Sequence, residues 1–275
     1  MTTWFITGCS TGFGRALAEA VLERGDNAVI TARNAEVLGG LAAKHPAIAL
    51  ALDLDVTDAA QVAAAVRAAE ERFGGIDVLV NNAGHGYRAA VEEGEDAAVR
   101  ELFETNFFGL VEVTKRVLPG MRRRRSGVIV NLSSIAGRTA PLGSGYYAAS
   151  KYAVEGLSGS LRLEVEPLGI KVIVVEPGGF RTDFAGRSLG QSAEPIDDYA
   201  STAGTRRKSA AEDGSQPGDP TKFAQTIIDV VASPEPPFRL LLGSDALART
   251  RTELASQTAE VEAWARVSAS TDFAD

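Results

Sequence analysis

The chain alternates short apolar runs with longer segments in which apolar residues recur every three or four positions. The short runs predict buried β-strands, and the periodic segments predict amphipathic helices. Strands are predicted near residues 3–7, 27–31, 48–53, 77–81, 127–132, 171–176 and 238–242. Helices are predicted near residues 12–24, 34–44, 58–73, 96–119, 146–166 and 220–233. This alternation predicts an α/β fold, a doubly wound parallel sheet with helices on both faces.

Two segments depart from the alternation. Residues 183–219 are rich in Gly, Ser, Ala and charged residues and contain few large apolar side chains. This composition suits either a surface insertion or a mobile lid over a substrate. Residues 244–266 predict a further polar helix, within a C-terminal helical extension at 244–275. We expect the whole chain, 1–275, to form one domain, which is common for an α/β protein of this length.

Composition and charge narrow the class of protein. Hydrophobic residues make up 45% of the chain, enough for a sizeable core, and the net charge of −8 argues against a nucleic-acid partner. The absence of a long apolar run and of a signal segment argues against a membrane partner. Cys9 is the only cysteine, so a reducing cytoplasm is the expected location. No spacing of Cys, His and carboxylate residues indicates a metal site.

A glycine-rich turn joins the first predicted strand to the first predicted helix. Such a turn places backbone N–H groups and a helix N-terminus against a pyrophosphate. Gly8 permits the tight turn, Gly12 lets the backbone approach phosphate, and Gly14 allows the helix to pack closely on the strand. An ordinary glycine loop is the alternative for this segment alone. The residues predicted to contact a dinucleotide here are Gly8, Ser10, Thr11, Gly12, Phe13 and Gly14.

Tyr147 and Lys151 are four residues apart in a predicted helix, so their side chains lie on one face. A nearby ammonium favours the phenolate, and we therefore predict a Tyr147 pKa lowered toward neutrality. A catalyst of proton transfer near pH 7 needs such a pKa. The helix face through Lys151 is largely apolar, and a buried lysine without partners is costly, which favours a functional site.

These segments together resemble the short-chain dehydrogenase/reductase family, in its shorter single-domain branch. The family's motifs match, in order, Thr7-Gly8 with Gly12 and Gly14, Asn81–Gly84, Asn106–Gly109, Asn131–Ser134, Tyr147 with Lys151, and Pro177-Gly178 with Thr182. The resemblance covers residues 3 to 245. It implies a Rossmann-type sheet of about seven strands in the order 3-2-1-4-5-6-7, and a homodimer or homotetramer.

The resemblance also implies a reaction, the interconversion of a ketone or aldehyde and its alcohol by hydride transfer. Tyr147 would be the general acid or base, and Ser134 a second contact to the carbonyl oxygen. Lys151 would lower the Tyr147 pKa and bind the nicotinamide ribose. Asn106 would hold a water that links Lys151 to solvent, although a core amide bonded to neighbouring backbone is the alternative. A catalytically silent dinucleotide sensor or scaffold is the alternative for the whole protein.

The second strand predicts which cofactor is used. Relatives that prefer NAD usually carry Asp at the end of this strand, where this chain has Ala32, and Arg33 offers donors suited to a 2′-phosphate. We therefore predict NADP, with NAD as the second choice. Asp55 and Val56 resemble the adenine contact, with Asp53 as the alternative carboxylate. The remaining cofactor contacts implied by the resemblance are Asn82, Ala83, Gly84, Tyr147, Lys151, Pro177, Gly178 and Thr182.

The substrate is predicted only as a class. The expected pocket walls are largely apolar and comprise Ile135, Ala136, Leu142, Phe180 and residues 183–219. A hydrophobic carbonyl compound or alcohol is therefore the predicted substrate.

Overall fold

The computed structural model describes residues 1–186, 188–208 and 215–273. Nine strands lie in this part of the chain, most of them in one large sheet. They are β1 (Thr3–Ile6), β2 (Asn27–Ala32), β3 (Ala49–Asp53), β4 (Val78–Asn81), β5 (Gly86–Arg88), β6 (Gly127–Leu132), β7 (Ile170–Pro177), β8 (Leu189–Gln191) and β9 (Arg239–Leu242).

Seven of these strands form the central sheet, in the spatial order β3-β2-β1-β4-β6-β7-β9, with every neighbouring pair parallel. This is the predicted order once β5 and β8 are left out, because those two pair with each other in a separate two-stranded sheet. The order reverses direction between β1 and β4. An open parallel sheet binds ligands beyond the carboxyl ends of its strands at such a reversal.

Helices cover both faces of the large sheet. They are α1 (Gly12–Glu23), α2 (Gly39–Lys44), α3 (Ala59–Phe73), α4 (Asp96–Phe103), α5 (Leu110–Arg124), α6 (Gly145–Val165), α7 (Ala203–Lys208), α8 (Pro220–Ala232) and α9 (Ser244–Ala269). On one face Leu17 of α1 and Phe223 of α8 pack on β1 through Ile6. On the other face Val62 of α3 and Val113 of α5 belong to a second apolar core. Strands that are buried on both sides account for the continuous apolar runs. The predicted fold class is confirmed.

Two predicted helices are divided in the structure. The helix predicted over 96–119 is interrupted by a π-helical turn at Glu104–Gly109 before α5 continues to Arg124. The helix predicted over 34–44 begins as a 3₁₀ turn at Ala35–Leu38, followed by the short α2. Apolar periodicity does not distinguish an α-helix from these related turns, because their side-chain spacing is similar over one turn.

The segments outside the alternation contain more structure than predicted. Within 183–219 the described residues include β8 and α7, and β8 pairs with β5, which was also not predicted. Three-residue strands are too short to show a periodic pattern. The helix predicted over 244–266 is present as α9, and residues 254–273 are all exposed. No helix in the described residues is both long and apolar enough to cross a membrane.

Candidate active site

A cavity of about 1290 Å³ opens beyond the carboxyl ends of the central strands. The predicted site residues that line it are Gly8, Ser10, Thr11, Gly12, Phe13, Arg33, Asp55, Val56, Asn82, Ala83, Gly84, Ser134, Tyr147, Lys151, Pro177, Gly178 and Thr182. Gly14 and Asn106 do not line the cavity and lie behind the residues that do. Of the predicted substrate walls, Ile135, Ala136 and Phe180 line the cavity, whereas Leu142 is an exposed residue outside it.

The glycine turn has the backbone that its sequence predicts. Gly8 and Gly12 have φ values of +72° and +61°, in the left-handed region that favours glycine. A Cβ on Gly14 would lie 2.3 Å from the carbonyl oxygen of Gly8, so the helix approaches the turn as closely as a residue without a side chain allows. The side chain of Thr11 does not cap α1. The first N–H groups of this helix are therefore available to an anion in the cavity.

Asn82 holds the glycine turn against β4. Its side-chain Nδ2 donates to the carbonyl oxygens of Thr7 at 2.8 Å and Gly8 at 2.9 Å. The hydroxyl of Thr7 in turn accepts from the backbone N–H groups of Asn82 and Ala83, each at 2.9 Å. Thr7 was not among the predicted site residues, although it opens the glycine motif. Thr7 therefore joins the loops after β1 and β4, the two strands between which the strand order reverses.

Tyr147 lies at the N-terminal end of α6, beside the cavity. Burial raises the pKa of its phenol to about 12, and a hydrogen bond with Ser134 acts in the opposite direction. The predicted lowering of the Tyr147 pKa by Lys151 is therefore wrong. The Lys151 ammonium lies 5.8 Å from the centroid of the tyrosine ring and donates to the carbonyl oxygen of Leu132 at 2.8 Å. Tyr147 is protonated at neutral pH and can donate a proton.

Lys151 is only 6% exposed, and its carbonyl partner at the end of β6 partly offsets the cost of its burial. Burial lowers the pKa of Lys151 to about 8, and the carboxylate of Glu155 opposes this shift. A lysine with this pKa changes charge close to physiological pH. The Leu132 carbonyl therefore fixes the position of the ammonium, and the Glu155 carboxylate favours its charged form.

Asn106 is 1% exposed and lies in the π-helical turn between α4 and α5. Its Oδ1 accepts from the N–H of His85 at 2.9 Å, and its Nδ2 donates to the carbonyl oxygen of His85 at 2.9 Å and to the hydroxyl of Ser150 at 3.2 Å. These contacts match the alternative of a core amide bonded to backbone. A Cβ on Gly84 would lie 3.0 Å from Oδ1 of Asn106 and 3.7 Å from Nζ of Lys151, so these groups pack together.

The far end of the cavity contains the groups predicted to select the cofactor. Arg33 is exposed there and makes no hydrogen bond or ion pair with the residues that the structure describes. Asp55 also lines this end, and its Oδ1 accepts from the N–H and hydroxyl of Thr57 at 2.9 and 2.7 Å. Asp53 does not line the cavity and instead accepts from the N–H of Ala35 at 2.7 Å. Asp55 is therefore the better placed carboxylate.

The segment after β7 completes the wall. The N–H of Gly178 donates to the carbonyl oxygen of Leu242 at 2.8 Å, and the N–H of Gly179 donates to the Asp245 carboxylate at 2.9 Å. A Cβ on Gly178 would lie 2.3 Å from that carboxylate, so α9 packs directly on this turn. Asp245 was not predicted, because nothing local in a polar helix indicates that its first turn reaches the cavity.

Phe13 has a packing role as well as a position in the cavity wall. Its ring stacks on Phe223 with centroids 3.9 Å apart, and it meets Phe180 edge-on at 5.0 Å. This aromatic cluster joins the glycine turn to α8 and to the segment after β7. It therefore fixes two walls of the cavity relative to each other.

The chain is similar to known oxidoreductases over most of its length. The family described as short chain dehydrogenase matches residues 2–192. The oxidoreductase BOA17 of Botryotinia fuckeliana is 43% identical over 260 residues, which cover 94% of this chain and 93% of that protein.

Two solved structures of short-chain dehydrogenases are also similar to this chain. A short-chain dehydrogenase from Streptomyces avermitilis has a TM-score of 0.93 and 42% identity, covering 99% of this chain and 100% of its own. A short chain dehydrogenase/reductase from Burkholderia phymatum, solved in complex with NAD, has a TM-score of 0.80 and 27% identity, covering 91% of this chain and 92% of its own.

Proposed function

Because the chain belongs to the short-chain dehydrogenase/reductase family, whose members are oxidoreductases, we propose that it is an NADP-dependent enzyme that interconverts a ketone or aldehyde and its alcohol. The observation that carries the proposal is the meeting of Tyr147, Ser134 and Lys151 in one cavity with an open glycine turn. The predicted catalytic set is Asn106, Ser134, Tyr147 and Lys151.

The cavity suits a nicotinamide dinucleotide. It runs from Arg33, past the left-handed backbone of Gly12, to Tyr147. A bound nicotinamide would supply or accept the hydride. The turn from Gly8 to Gly14 would bind the pyrophosphate through backbone N–H groups. The guanidinium of Arg33 has no partner among the described residues, and this supports NADP over NAD because it can bind a 2′-phosphate through two parallel hydrogen bonds.

Tyr147 would transfer the proton. Its raised pKa keeps the phenol protonated, so in reduction it can donate to the carbonyl oxygen as negative charge develops there. The Ser134 hydroxyl accepts from the N–H of Ala136 at 3.1 Å, so its own proton, which bonds to Tyr147 in this structure, can be donated to the carbonyl oxygen of a bound substrate.

Lys151 would stabilise the phenolate that remains after proton transfer, since a positive charge lowers the free energy of a nearby anion. Its bond to the Leu132 carbonyl limits where the ammonium can lie. Asn106 would brace the loop at His85, which faces the same cavity, and would hold a water that links Lys151 to solvent.

We further propose that residues 183–219, of which 187 and 209–214 lie outside the described residues, act as a substrate lid on a single-domain protein. The ring of Phe184 lies 5.6 Å from that of Tyr147, and Leu189 also lines the cavity. A cytoplasmic location and a homodimer or homotetramer complete the proposal, and light scattering of the purified protein tests the assembly.

The test of the reaction is NADPH consumption with a panel of ketones and aldehydes, comparing the wild-type protein with Tyr147→Phe. We expect turnover by the wild type and a loss of about 10²- to 10⁴-fold in the variant. Binding of NADPH without turnover of any compound would favour the catalytically silent sensor. Equal turnover by the variant would remove Tyr147 from its proposed role.

A further inference from the structure

One wall of the cavity carries an unexpected concentration of positive charge. Arg88 of β5, Arg206 of α7 and Arg249 of α9 all line it. The three residues come from elements outside the central sheet or at its margin, so the fold of the dinucleotide-binding core does not require them. Their convergence on one cavity points to a ligand.

Arg88 lies on the side of the cavity where the reaction is proposed. Its Nη1 donates to the carbonyl oxygen of Arg206 at 2.6 Å, which joins β5 to α7. The next residue, Ala89, donates its N–H to the carbonyl oxygen of Gly143 at 3.1 Å, immediately before the helix that carries Tyr147. Arg33, by contrast, follows β2 on the other side of β1.

The positive charges of these arginines repel one another. Burial lowers the pKa of Arg88, and the positive charge of Arg206 lowers it further. Burial likewise lowers the pKa of Arg206, with Arg249 as the second cause. Among residues 1–186, 188–208 and 215–273, no carboxylate forms an ion pair with Arg88. An uncompensated, partly buried cation is costly unless a ligand neutralises it.

Elsewhere the same protein neutralises its partly buried arginines. Arg207, next to Arg206, is paired with Glu93 at 2.6 Å, and Arg138 is paired with Glu176 at 2.9 Å. Arg88 is therefore an exception within this structure. Four carboxylates of the described residues also line the cavity, but Glu101 and Glu104 are exposed around the π-helical turn. Asp55 accepts from Thr57, and Asp245 accepts from the N–H of Gly179.

We propose that Arg88, supported by Arg206, binds a carboxylate of the substrate, so that the substrate is an oxo acid or the corresponding hydroxy acid. A guanidinium fork matches a carboxylate through two parallel hydrogen bonds. Apolar wall residues, Ile135, Pro141 and Leu189, suit a hydrocarbon spacer between the carbonyl and the acid. The inference rests on the proposed function and replaces a purely hydrophobic substrate with one that has an acidic end.

The first test compares 4-oxopentanoate, 5-oxohexanoate and 7-oxooctanoate with their methyl esters, using NADPH and measuring kcat/KM. We expect the wild type to prefer at least one acid over its ester by about tenfold or more, as charge-assisted hydrogen bonds allow. Arg88→Gln should remove that preference by lowering kcat/KM for the acids relative to that for the esters. Arg251→Gln, an exposed position on α9, is the matched control. Equal rates on acids and esters would overturn the inference.

The second test needs no turnover. Calorimetry with hexanoate and with hexanol, in the presence of NADP, should show hexanoate binding that weakens about tenfold in Arg88→Gln and also in Arg206→Gln. The second variant keeps the test decisive if the first does not fold. Arg88-dependent hexanoate binding by a protein that reduces no carbonyl would contradict the proposed function alone. Carbonyl reduction without acid preference or Arg88-dependent binding would contradict this inference alone.

Discussion

Glu155 lies one helical turn after Lys151 on α6, and its carboxylate raises the pKa of an ammonium whose pKa burial has lowered to about 8. Glu155 is itself buried and accepts from Nε of Arg239 at 3.1 Å. The helix therefore presents a proton donor, a cation and an anion at successive turns. Whether Lys151 is charged near neutral pH therefore depends on the carboxylate of Glu155.

Replacing Glu155 by Gln should lower the pKa of Lys151 further below about 8, because the change removes the interaction that favours the ammonium. If the charged form is needed, kcat/KM for carbonyl reduction should begin to fall at a lower pH, by about one unit. The pH profile of the wild type and variant measures this shift. Glu164→Gln, an exposed acid on the same helix, is the control. Superimposable profiles for all three proteins would contradict the argument.

Ser134→Ala should reduce kcat for carbonyl reduction by about 10²-fold. The change removes a donor to the carbonyl oxygen and also the hydrogen bond that lowers the pKa of Tyr147. Single-turnover kinetics with NADPH separate this effect from substrate binding. Ser160→Ala, on the exposed part of α6, should keep wild-type kinetics. A variant that loses affinity but retains kcat would indicate that Ser134 positions the substrate without sharing in the chemistry.

Much of the scaffold could be predicted because its signals are local or carried by motifs. Apolar runs identified all seven strands of the large sheet, and the positive φ of Gly8 and Gly12 agrees with a turn in which only glycine is unstrained. The order of the strands is not contained in their periodicity. It came from the resemblance, and the register confirms it.

The contacts of individual site residues were harder to predict. Spacing places Tyr147 and Lys151 on one helix face, but the Leu132 carbonyl determines where the ammonium points. Burial, which spacing does not show, raises the pKa of the phenol. The partners of Asn106 depend on the π-helical turn, and that turn has no periodicity of its own. Arg88 lies on a three-residue strand that pairs with β8, 103 positions later in the chain, and local sequence does not reveal so distant a partner.

Arg33→Ala should raise the KM for NADPH by about ten- to a hundredfold and leave the KM for NADH nearly unchanged. The guanidinium is exposed at the end of the cavity, so its removal breaks no hydrogen bond or ion pair with the described residues, and only a 2′-phosphate would lose a charged partner. Initial rates with both cofactors and one substrate measure the effect. Arg24→Ala, an exposed arginine after α1 and outside this cavity, controls for net charge. Equal changes in both KM values would rule out the phosphate contact.

Two glycines in helices offer a matched test of how closely the cofactor turn is packed. A Cβ on Gly14 would lie 2.3 Å from the carbonyl oxygen of Gly8 and 2.4 Å from Nδ2 of Asn82, whereas a Cβ on Gly156 would meet nothing within 4 Å. Gly14→Ala should therefore lower the free energy of unfolding by about 1–3 kcal/mol, because backbone atoms must move. Gly156→Ala should raise it by up to about 1 kcal/mol, since alanine favours the helix.

Urea denaturation of both variants measures these changes, and NADPH affinity adds a second readout. Displacing the Gly8 carbonyl disturbs the turn proposed to bind the pyrophosphate, so Gly14→Ala should also weaken NADPH binding even where the variant is fully folded. Gly156→Ala should bind like the wild type. If Gly14→Ala were as stable as Gly156→Ala and bound NADPH normally, the turn would be loose enough to accept a side chain, and the requirement for close packing at Gly14 would not hold.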